Sequence, residues 1–136
     1  MSVVRIEHVF KEYKLGEQTV HALNDITWSI EAGVFLAISG PSGSGKTTLL
    51  NLIGCIDKPS RGKIFINEED VSEKSPNDLA DLRSRSIGFI FQTFNLLPVL
   101  SAAENVEYPL LRRKDISAEE RKKRVDYFLE IVGLTK

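Results

Sequence analysis

The sequence predicts an α/β domain, and three patterns indicate this fold class. Polar and apolar residues alternate through the first third of the chain, with the period of two that is typical of half-buried strands. An apolar run without alternation, Val34–Ser39, precedes the glycine-rich stretch Gly40–Gly45 and an apolar helical segment, Lys46–Ile53. Serine-led helix starts follow in the second half. We therefore expect strands first and mostly helices toward the C-terminus.

The composition is that of an ordinary globular protein. The chain has 136 residues, and 18 Lys and Arg against 19 Asp and Glu give a net charge of −1. This balance offers no support for nucleic-acid binding through bulk electrostatics. The single cysteine, Cys55, excludes an internal disulfide. No signal peptide is recognisable, and no apolar run approaches the about 20 residues that cross a bilayer. We predict a cytoplasmic protein that binds no nucleic acid.

The strands are predicted in chain order. Alternation places one set of residues on the same face of the first strand: Val4, Ile6, His8 and Phe10. After a turn at 14–17, Thr19–Leu23 forms a second short strand, and alternation at Ile26, Trp28 and Ile30 indicates a third. Two runs without alternation are predicted as strands buried on both faces, as in a parallel sheet: Val34–Ser39 and Ile87–Phe91. Between them, Lys63–Ile66 is a strand after the turn at 57–62.

Helices are predicted from their first residues. Ser75 offers an N-cap hydroxyl ahead of Pro76, and an acid follows in the first turn. Ser101 with Glu104, and Ser117 with Glu120, match the capping box. The last helix carries an apolar stripe and ends at a glycine suited to its C-terminal cap: Val125, Phe128, Leu129, Val132 and Gly133. On the same helix, acids four residues before basic residues predict a solvated face of ion pairs.

One motif carries the chemistry. Gly40–Thr47 matches G-x-x-x-x-G-K-[ST] without a mismatch, between an apolar strand and an apolar helix. Glycines let backbone N–H groups point inward at phosphate oxygens at a helix N-terminus. Lys46 supplies positive charge to the β- and γ-phosphates, Thr47 a hydroxyl to Mg²⁺, and Thr48 lies toward the α-phosphate. The predicted phosphate-binding residues are Gly40, Ser42, Gly43, Ser44, Gly45, Lys46, Thr47 and Thr48. The alternative is an ordinary Gly-Ser loop that caps a helix.

The sequence around this motif resembles that of ABC transporter ATPases. A GTPase would show DxxG and NKxD segments, and neither occurs. The resembling stretches are Val9–Tyr13, Ala22–Ile26, Gly40–Thr48, Leu50–Gly62 and Ile87–Pro98. The segments Asp57-Lys58-Pro59 and Phe94–Pro98 are similar in sequence to those of the macrolide-export and lipoprotein-release branch of this family. The resemblance implies a nucleotide-binding fold with an N-terminal antiparallel β subdomain, an incomplete parallel core sheet and the start of a helical subdomain. It divides the chain into 1–92 and 93–136.

The resemblance also implies roles for single residues. Tyr13 is similar to the aromatic residue whose ring stacks on adenine; the alternative is a surface tyrosine at a strand end. Gln92 is similar to the glutamine that reaches Mg²⁺ or the attacking water, which would make it a metal-binding and, with Lys46, a catalytic residue. Phe94–Leu97 resembles the face that receives a membrane partner, although core packing is the alternative. ATP and Mg²⁺ are the implied ligands, and a transmembrane permease is the implied partner at the inner face of the cell membrane.

Three motifs that resemblance would place later are not found in these 136 residues. They are an LSGGQ-type signature, an apolar quartet followed by Asp-Glu, and a histidine after the phosphate loop. We therefore expect ATP binding without efficient hydrolysis, since phosphoryl transfer depends on positioned charges. An ABC ATPase portion, a non-enzymatic nucleotide-binding module and another phosphate-loop enzyme, such as a small-molecule kinase, stay open. The sheet neighbours of Val34–Ser39 are expected downstream, so we predict a homo-oligomer that pairs or exchanges strands, or a rearranged sheet.

Overall fold

The computed structural model describes residues 1–134. The chain divides into two compact units, Met1–Arg83 and Ser84–Lys136. The division into 1–92 and 93–136 that the resemblance implies stays a prediction.

The first unit is built on a four-stranded antiparallel sheet. In chain order its strands are β1 (Ser2–Leu15), β2 (Gln18–Glu31), β3 (Arg61–Ile66) and β4 (Glu69–Asp70), and they lie in the order β2-β1-β3-β4. The two segments predicted as separate strands within 19–30 form one strand, β2, which is locally irregular because Asp25 adopts a left-handed conformation with φ of 52°. The predicted strand at Lys63–Ile66 is confirmed, two residues longer at its start.

The core-facing side of β1 changes along the strand. Val4 and Ile6 are buried as predicted, but Val9 and Lys11 are buried next, whereas His8 is exposed. The register with β3 shifts between Glu7 and Phe10, and His8 has a positive φ of 49°. An extra residue at such a bulge moves every later side chain to the opposite face. The prediction that His8 and Phe10 share a face with Val4 and Ile6 is therefore wrong.

Helix α1 (Lys46–Ile53) lies in the first unit, and helix α2 (Pro76–Ser86) begins in it. α1 has the predicted bounds and contacts β2 and β3. α2 begins at the predicted proline, where the Asp78 amide donates to Ser75 Oγ at 3.2 Å. Arg83 on α2 donates to the Cys55 carbonyl at 2.6 Å, just beyond α1. The apolar core is formed mainly by strand and helix side chains: Ile6, Val9, Leu52, Cys55, Ile64, Leu79 and Leu82. The prediction that Cys55 is a small buried apolar residue is confirmed.

The second unit contains α3 (Ala102–Glu107), a 3₁₀ helix (Tyr108–Arg112) and α4 (Ala118–Ile131). The capping box at Ser101 is confirmed, with both reciprocal hydrogen bonds present. At Ser117 the hydroxyl accepts from the Glu120 amide at 3.1 Å, whereas the Glu120 carboxylate accepts from Arg124 at 2.7 Å. Of the second predicted box, therefore, only the hydrogen bond to the Ser117 hydroxyl is formed.

Helix α4 follows its predicted end but not its predicted stripe. Gly133 has φ of 71°, and the Gly133 and Leu134 amides donate to the carbonyls of Glu130 and Leu129, which is a Schellman cap. Val125 is buried, but Phe128 and Val132 are more than half exposed. Glu119–Lys123 and Glu120–Arg124 form the predicted ion pairs, at 2.8 and 2.7 Å.

Two predicted buried strands are wrong. Val34–Ser39 and Ile87–Phe91 carry no strand, and within residues 1–134 neither pairs with one. Phe35 is 97% exposed and Ile90 is fully exposed. Apolar character shows that these segments favour burial, but a strand also requires a neighbour for its N–H and C=O groups.

None of the helices described in residues 1–134 combines the length and apolar character needed to cross a membrane.

Candidate functional site

The phosphate loop, Gly40–Thr47, leads directly into α1. Gly45 is the N-cap of the helix, and the Leu49 amide donates to its carbonyl at 2.9 Å. No side chain caps this helix start. The first-turn N–H groups of α1 therefore lie beside the loop, which is the arrangement that favours an anion.

Gly45 is required by a close approach to β2. Its φ is 86°, and a Cβ placed there would lie 2.6 Å from the Ala22 carbonyl oxygen. A side chain would therefore separate the loop from the strand. This contact explains the glycine that precedes the lysine of the motif.

Lys46 folds back across the loop. Its Nζ donates to the carbonyls of Gly40 at 2.9 Å and Pro41 at 2.7 Å. Ser44 lies near as well, with its Oγ 3.4 Å from the same Nζ and its amide donating to the Pro41 carbonyl at 3.3 Å. The lysine ammonium is thus held at the mouth of the loop by bonds to neutral oxygens. An anion there would offer it a stronger, charge-assisted partner.

An open cleft of about 220 Å³ lies between the loop and β2. The loop and the first turn of α1 supply Gly43, Ser44, Gly45, Lys46, Thr47 and Thr48, all predicted from the motif. Gly40 and Ser42 belong to the loop but do not line this cleft. The opposite wall is formed by Val20, His21 and Ala22, which the motif did not indicate. The sequence carries no local pattern for these three residues, because their place in the cleft depends on the packing of β2 on the loop.

Tyr13 lies next to this cleft. It pairs across the sheet with Val20, which lines the cleft, and its hydroxyl donates to Asp57 Oδ2 at 2.9 Å. Burial, followed by the hydrogen bond to Asp57, raises the pKa of Tyr13 above its ordinary value of 10.0, although a hydrogen bond with Thr48 acts in the opposite direction. The first unit therefore brings Tyr13, Thr48 and the loop together. Adenine stacking by Tyr13 stays a prediction.

Gln92 belongs to the second unit. It is exposed, in a bend that follows Phe91. Its predicted catalytic and Mg²⁺-binding roles stay predictions, as does the Mg²⁺-binding role of Thr47, whose side chain is exposed at the start of α1.

Comparison with known proteins agrees with this architecture. A family model described as ABC transporter matches residues 23–136. An uncharacterized ABC transporter ATP-binding protein of Thermotoga maritima is 47% identical over 132 residues, covering 97% of this chain and 56% of that protein. The macrolide export ATP-binding/permease protein MacB of Brucella abortus is 45% identical over 121 residues, covering 89% of this chain and 19% of that protein. The chain spans little more than half the length of the Thermotoga maritima protein and of other similar ATP-binding proteins.

A solved structure matches over nearly the whole chain. The dimeric, post-hydrolysis structure of the ATP-binding cassette MJ0796 of Methanocaldococcus jannaschii, bound to ADP and Pi, has a TM-score of 0.85 and 44% identity. The match covers 98% of this chain and 58% of that one. The predicted fold class, an ABC ATPase type with an N-terminal antiparallel β subdomain and helices, is thereby confirmed, although the structure described for residues 1–134 contains no parallel core sheet. With a family match over most of its length and this structural similarity, the chain belongs to the ABC transporter family, as part of an ATP-binding domain.

Proposed function

We propose that this chain binds ATP with Mg²⁺ as the nucleotide-binding portion of a transporter ATPase. The observation that carries the proposal is the motif Gly40–Thr47, which matches G-x-x-x-x-G-K-[ST] at every position. It lies at the N-terminus of α1 beside an open cleft. Loop amides and the Lys46 ammonium would hold the phosphates, and the Thr47 hydroxyl is an oxygen ligand of the kind Mg²⁺ prefers. The similar cassette MJ0796 was solved with ADP and Pi, which supports this ligand class.

Titration calorimetry with MgATP tests the phosphate loop. Lys46→Ala is expected to weaken ATP binding by roughly tenfold to a hundredfold, since hydrogen bonds to charged groups contribute about 1.5–3 kcal/mol. The matched control is Lys122→Ala, which removes an exposed lysine of α4. Equal affinity of the wild type and Lys46→Ala would overturn the assignment of the phosphate loop.

The base is proposed to stack on Tyr13. Because the Tyr13 ring would stack on the base and offer no hydrogen bonds to the edge of guanine, we expect ATP to bind more tightly than GTP, with a preference that depends on Tyr13. Tyr13→Ala should weaken ATP binding and bring the two affinities together, as measured in the same calorimeter. Equal affinities for ATP and GTP in the wild type would remove Tyr13 from the site.

Hydrolysis is the second measurable property. We propose that residues 1–136 bind ATP without steady turnover, because the chain carries neither an apolar quartet followed by Asp-Glu nor a histidine after the phosphate loop. Gln92 would reach the metal or the attacking water, but it would act without that carboxylate. Phosphate release by the purified chain should stay at background. Robust release that Lys46→Ala abolishes would show that other residues supply the catalytic groups.

Coupling to export through a transmembrane permease is also proposed, at the inner face of the membrane. In relatives named MacB, one protein is described as both ATP-binding and permease. Phe94, Leu96 and Val99 expose 91%, 63% and 91% of their surface, which suits a face for a partner. Phe94→Ser should then leave ATP binding unchanged while lowering association with membrane vesicles that contain the permease. Unchanged association would contradict this face.

A further inference from the structure

A buried lysine lies beside the proposed nucleotide cleft. Lys11 exposes 9% of its surface, and its Nζ donates to Asp57 Oδ1 and to the Lys58 carbonyl, both at 2.7 Å. Burying an ammonium is costly unless its donors are satisfied, and removing one member of such a pair destabilises strongly. The β1 bulge turns Lys11 inward, and the Lys11 ammonium is therefore paired with the Asp57 carboxylate.

Asp57 uses its second oxygen for Tyr13. The Tyr13 hydroxyl donates to Oδ2 at 2.9 Å, and the Lys11 Nζ lies 4.8 Å from the centroid of the Tyr13 ring. Cation–π attraction operates at this separation. The ring is therefore held at two points, at its hydroxyl by the carboxylate and at its face by the ammonium.

Asp57 is itself fixed to the end of α1. The amides of Ile56 and Asp57 donate to the Asn51 carbonyl at 2.9 and 3.2 Å, and the Lys58 amide donates to Asp57 Oδ1 at 2.7 Å. The other end of α1 carries the phosphate loop. The contacts thus run from the phosphate loop through α1 to Asp57, and from Asp57 to the Tyr13 ring.

We propose that Asp57 and Lys11 are positioning residues that hold the Tyr13 ring at a fixed place relative to the phosphate loop. The inference rests on the proposed binding of ATP. Its consequence is that one rigid body, α1 with its two ends, sets the distance between the base-binding and phosphate-binding groups. A ring that is already oriented loses less conformational freedom when the base binds.

The test compares MgATP with magnesium tripolyphosphate, which has the phosphates but no base. Tyr13→Phe keeps the ring and removes only its hydrogen bond to Asp57, whereas Asp57→Asn removes the charge that holds both Lys11 and Tyr13. Both are expected to weaken ATP binding by roughly fivefold, the scale of one lost orienting hydrogen bond. Tripolyphosphate binding should change by less than about twofold, because the phosphate loop is untouched.

Asp70→Asn is the matched control. It is the same substitution at another hydrogen-bonded carboxylate of the first unit. Asp70 accepts a hydrogen bond from the Ser72 amide at 2.9 Å and does not line the cleft. It should leave both affinities unchanged. A merely structural role for Asp57 would instead lower the affinities for ATP and tripolyphosphate together.

The possible failures are distinguishable. If Tyr13→Ala weakens ATP selectively but Tyr13→Phe and Asp57→Asn do not, the proposed function stands and the positioning role is overturned. If Lys46→Ala leaves tripolyphosphate binding intact, the proposed phosphate site itself fails. Tyr13→Phe leaves the Lys11–Asp57 ion pair in place, so it tests the contact between Asp57 and the Tyr13 ring even if Asp57→Asn does not fold.

Discussion

Asp57 is a carboxylate whose charge is held by the fold. Burial alone would raise its pKa, but hydrogen bonds from Lys11, the Lys58 amide and the Tyr13 hydroxyl together lower the pKa below the ordinary value of 3.8. A carboxylate with a lowered pKa in the folded state contributes stability that is present above its unfolded pKa. That contribution is lost as the pH falls through the folded pKa.

We therefore expect the chain to lose stability in acid through this group. As the pH falls below about 4, the ordinary range of an Asp carboxyl, the free energy of unfolding of the wild type should fall more steeply than that of Asp57→Asn. Urea unfolding at a series of pH values measures both slopes. Asp126→Asn, which removes an exposed carboxylate of α4, is the control and should keep the wild-type slope. Parallel curves for the wild type and Asp57→Asn would contradict a stabilising Lys11–Asp57 pair.

Residues of the site differ in how far the sequence predicts them. The motif from Gly40 to Thr47 is local, because its chemistry requires those residue types in consecutive positions. The contacts of Asp57 with Lys11 and Tyr13 join residues 46 and 44 positions apart. No local pattern indicates such a pair, and its formation depends on the bulge in β1. Lys11 in particular reads from the sequence as a solvated charge.

Among the elements, β1 shows how a single bulge alters a strand. The alternation of Val4 and Ile6 predicts one face correctly, and the shift at His8 then brings Val9 and Lys11 inward. Phe10 is turned away from that face, and the Arg61 guanidinium lies 4.2 Å from its ring centroid. The backbone at this point is crowded, and β3 meets it with a glycine.

Gly62 is the residue that accommodates the bulge. Its φ is 89°, and a Cβ there would lie 2.2 Å from the His8 carbonyl oxygen, too close to coexist with it. Gly62→Ala is expected to destabilise the chain by about 3 kcal/mol or more, since both the positive φ and the backbone contact oppose a side chain.

Gly16→Ala provides the control for this prediction. Gly16 also has a positive φ, 62°, but a Cβ there would meet nothing within 4 Å. Its substitution should cost only about 1 kcal/mol, the strain of the left-handed backbone alone. Denaturant unfolding compares the two variants. Similar losses would show that the β1–β3 approach is not tight.

Helices and strands were not equally predictable. The start of α3 follows from Ser101 and Glu104 because the capping box is satisfied within four residues. The apolar stripe of α4 was only partly confirmed, because burial requires a surface to pack on. The same reason applies to Val34–Ser39 and Ile87–Phe91: their sequences indicate a need for burial, whereas strand pairing depends on residues far away in the chain.

At the scale of the whole molecule, apolar side chains remain uncovered in each unit. Val34, Phe35 and Leu36 expose 55%, 97% and 43% of their surface in the first unit. In the second unit Ile90 is fully exposed and Phe91 is 48% exposed. Soluble monomers rarely present such contiguous apolar stretches, and backbone groups without a strand partner also favour pairing with another chain.

The chain is therefore expected to self-associate, either by pairing strands with a second copy or by exchanging segments with it. Sedimentation should show a mass that rises with concentration in the micromolar range. Replacing the most exposed side chain of each run, in Phe35→Ser/Ile90→Ser, should shift the equilibrium toward monomer, because burying apolar surface contributes about 25 cal/mol per Å². Leu15→Ser is the control, since Leu15 is 66% exposed at the β1–β2 turn and lies in neither run.

Hydrogen exchange tests where the copies meet. In the associated form, amides within 34–39 should exchange slowly, because new strand partners would accept their hydrogen bonds. In dilute solution the same amides should exchange quickly, since within the described part of the chain no strand pairs with them. Protection that tracks concentration would therefore place this segment in the contact between copies. A stable monomer in which 34–39 stays protected at every concentration would contradict the prediction, because the sheet would then have closed within a single chain.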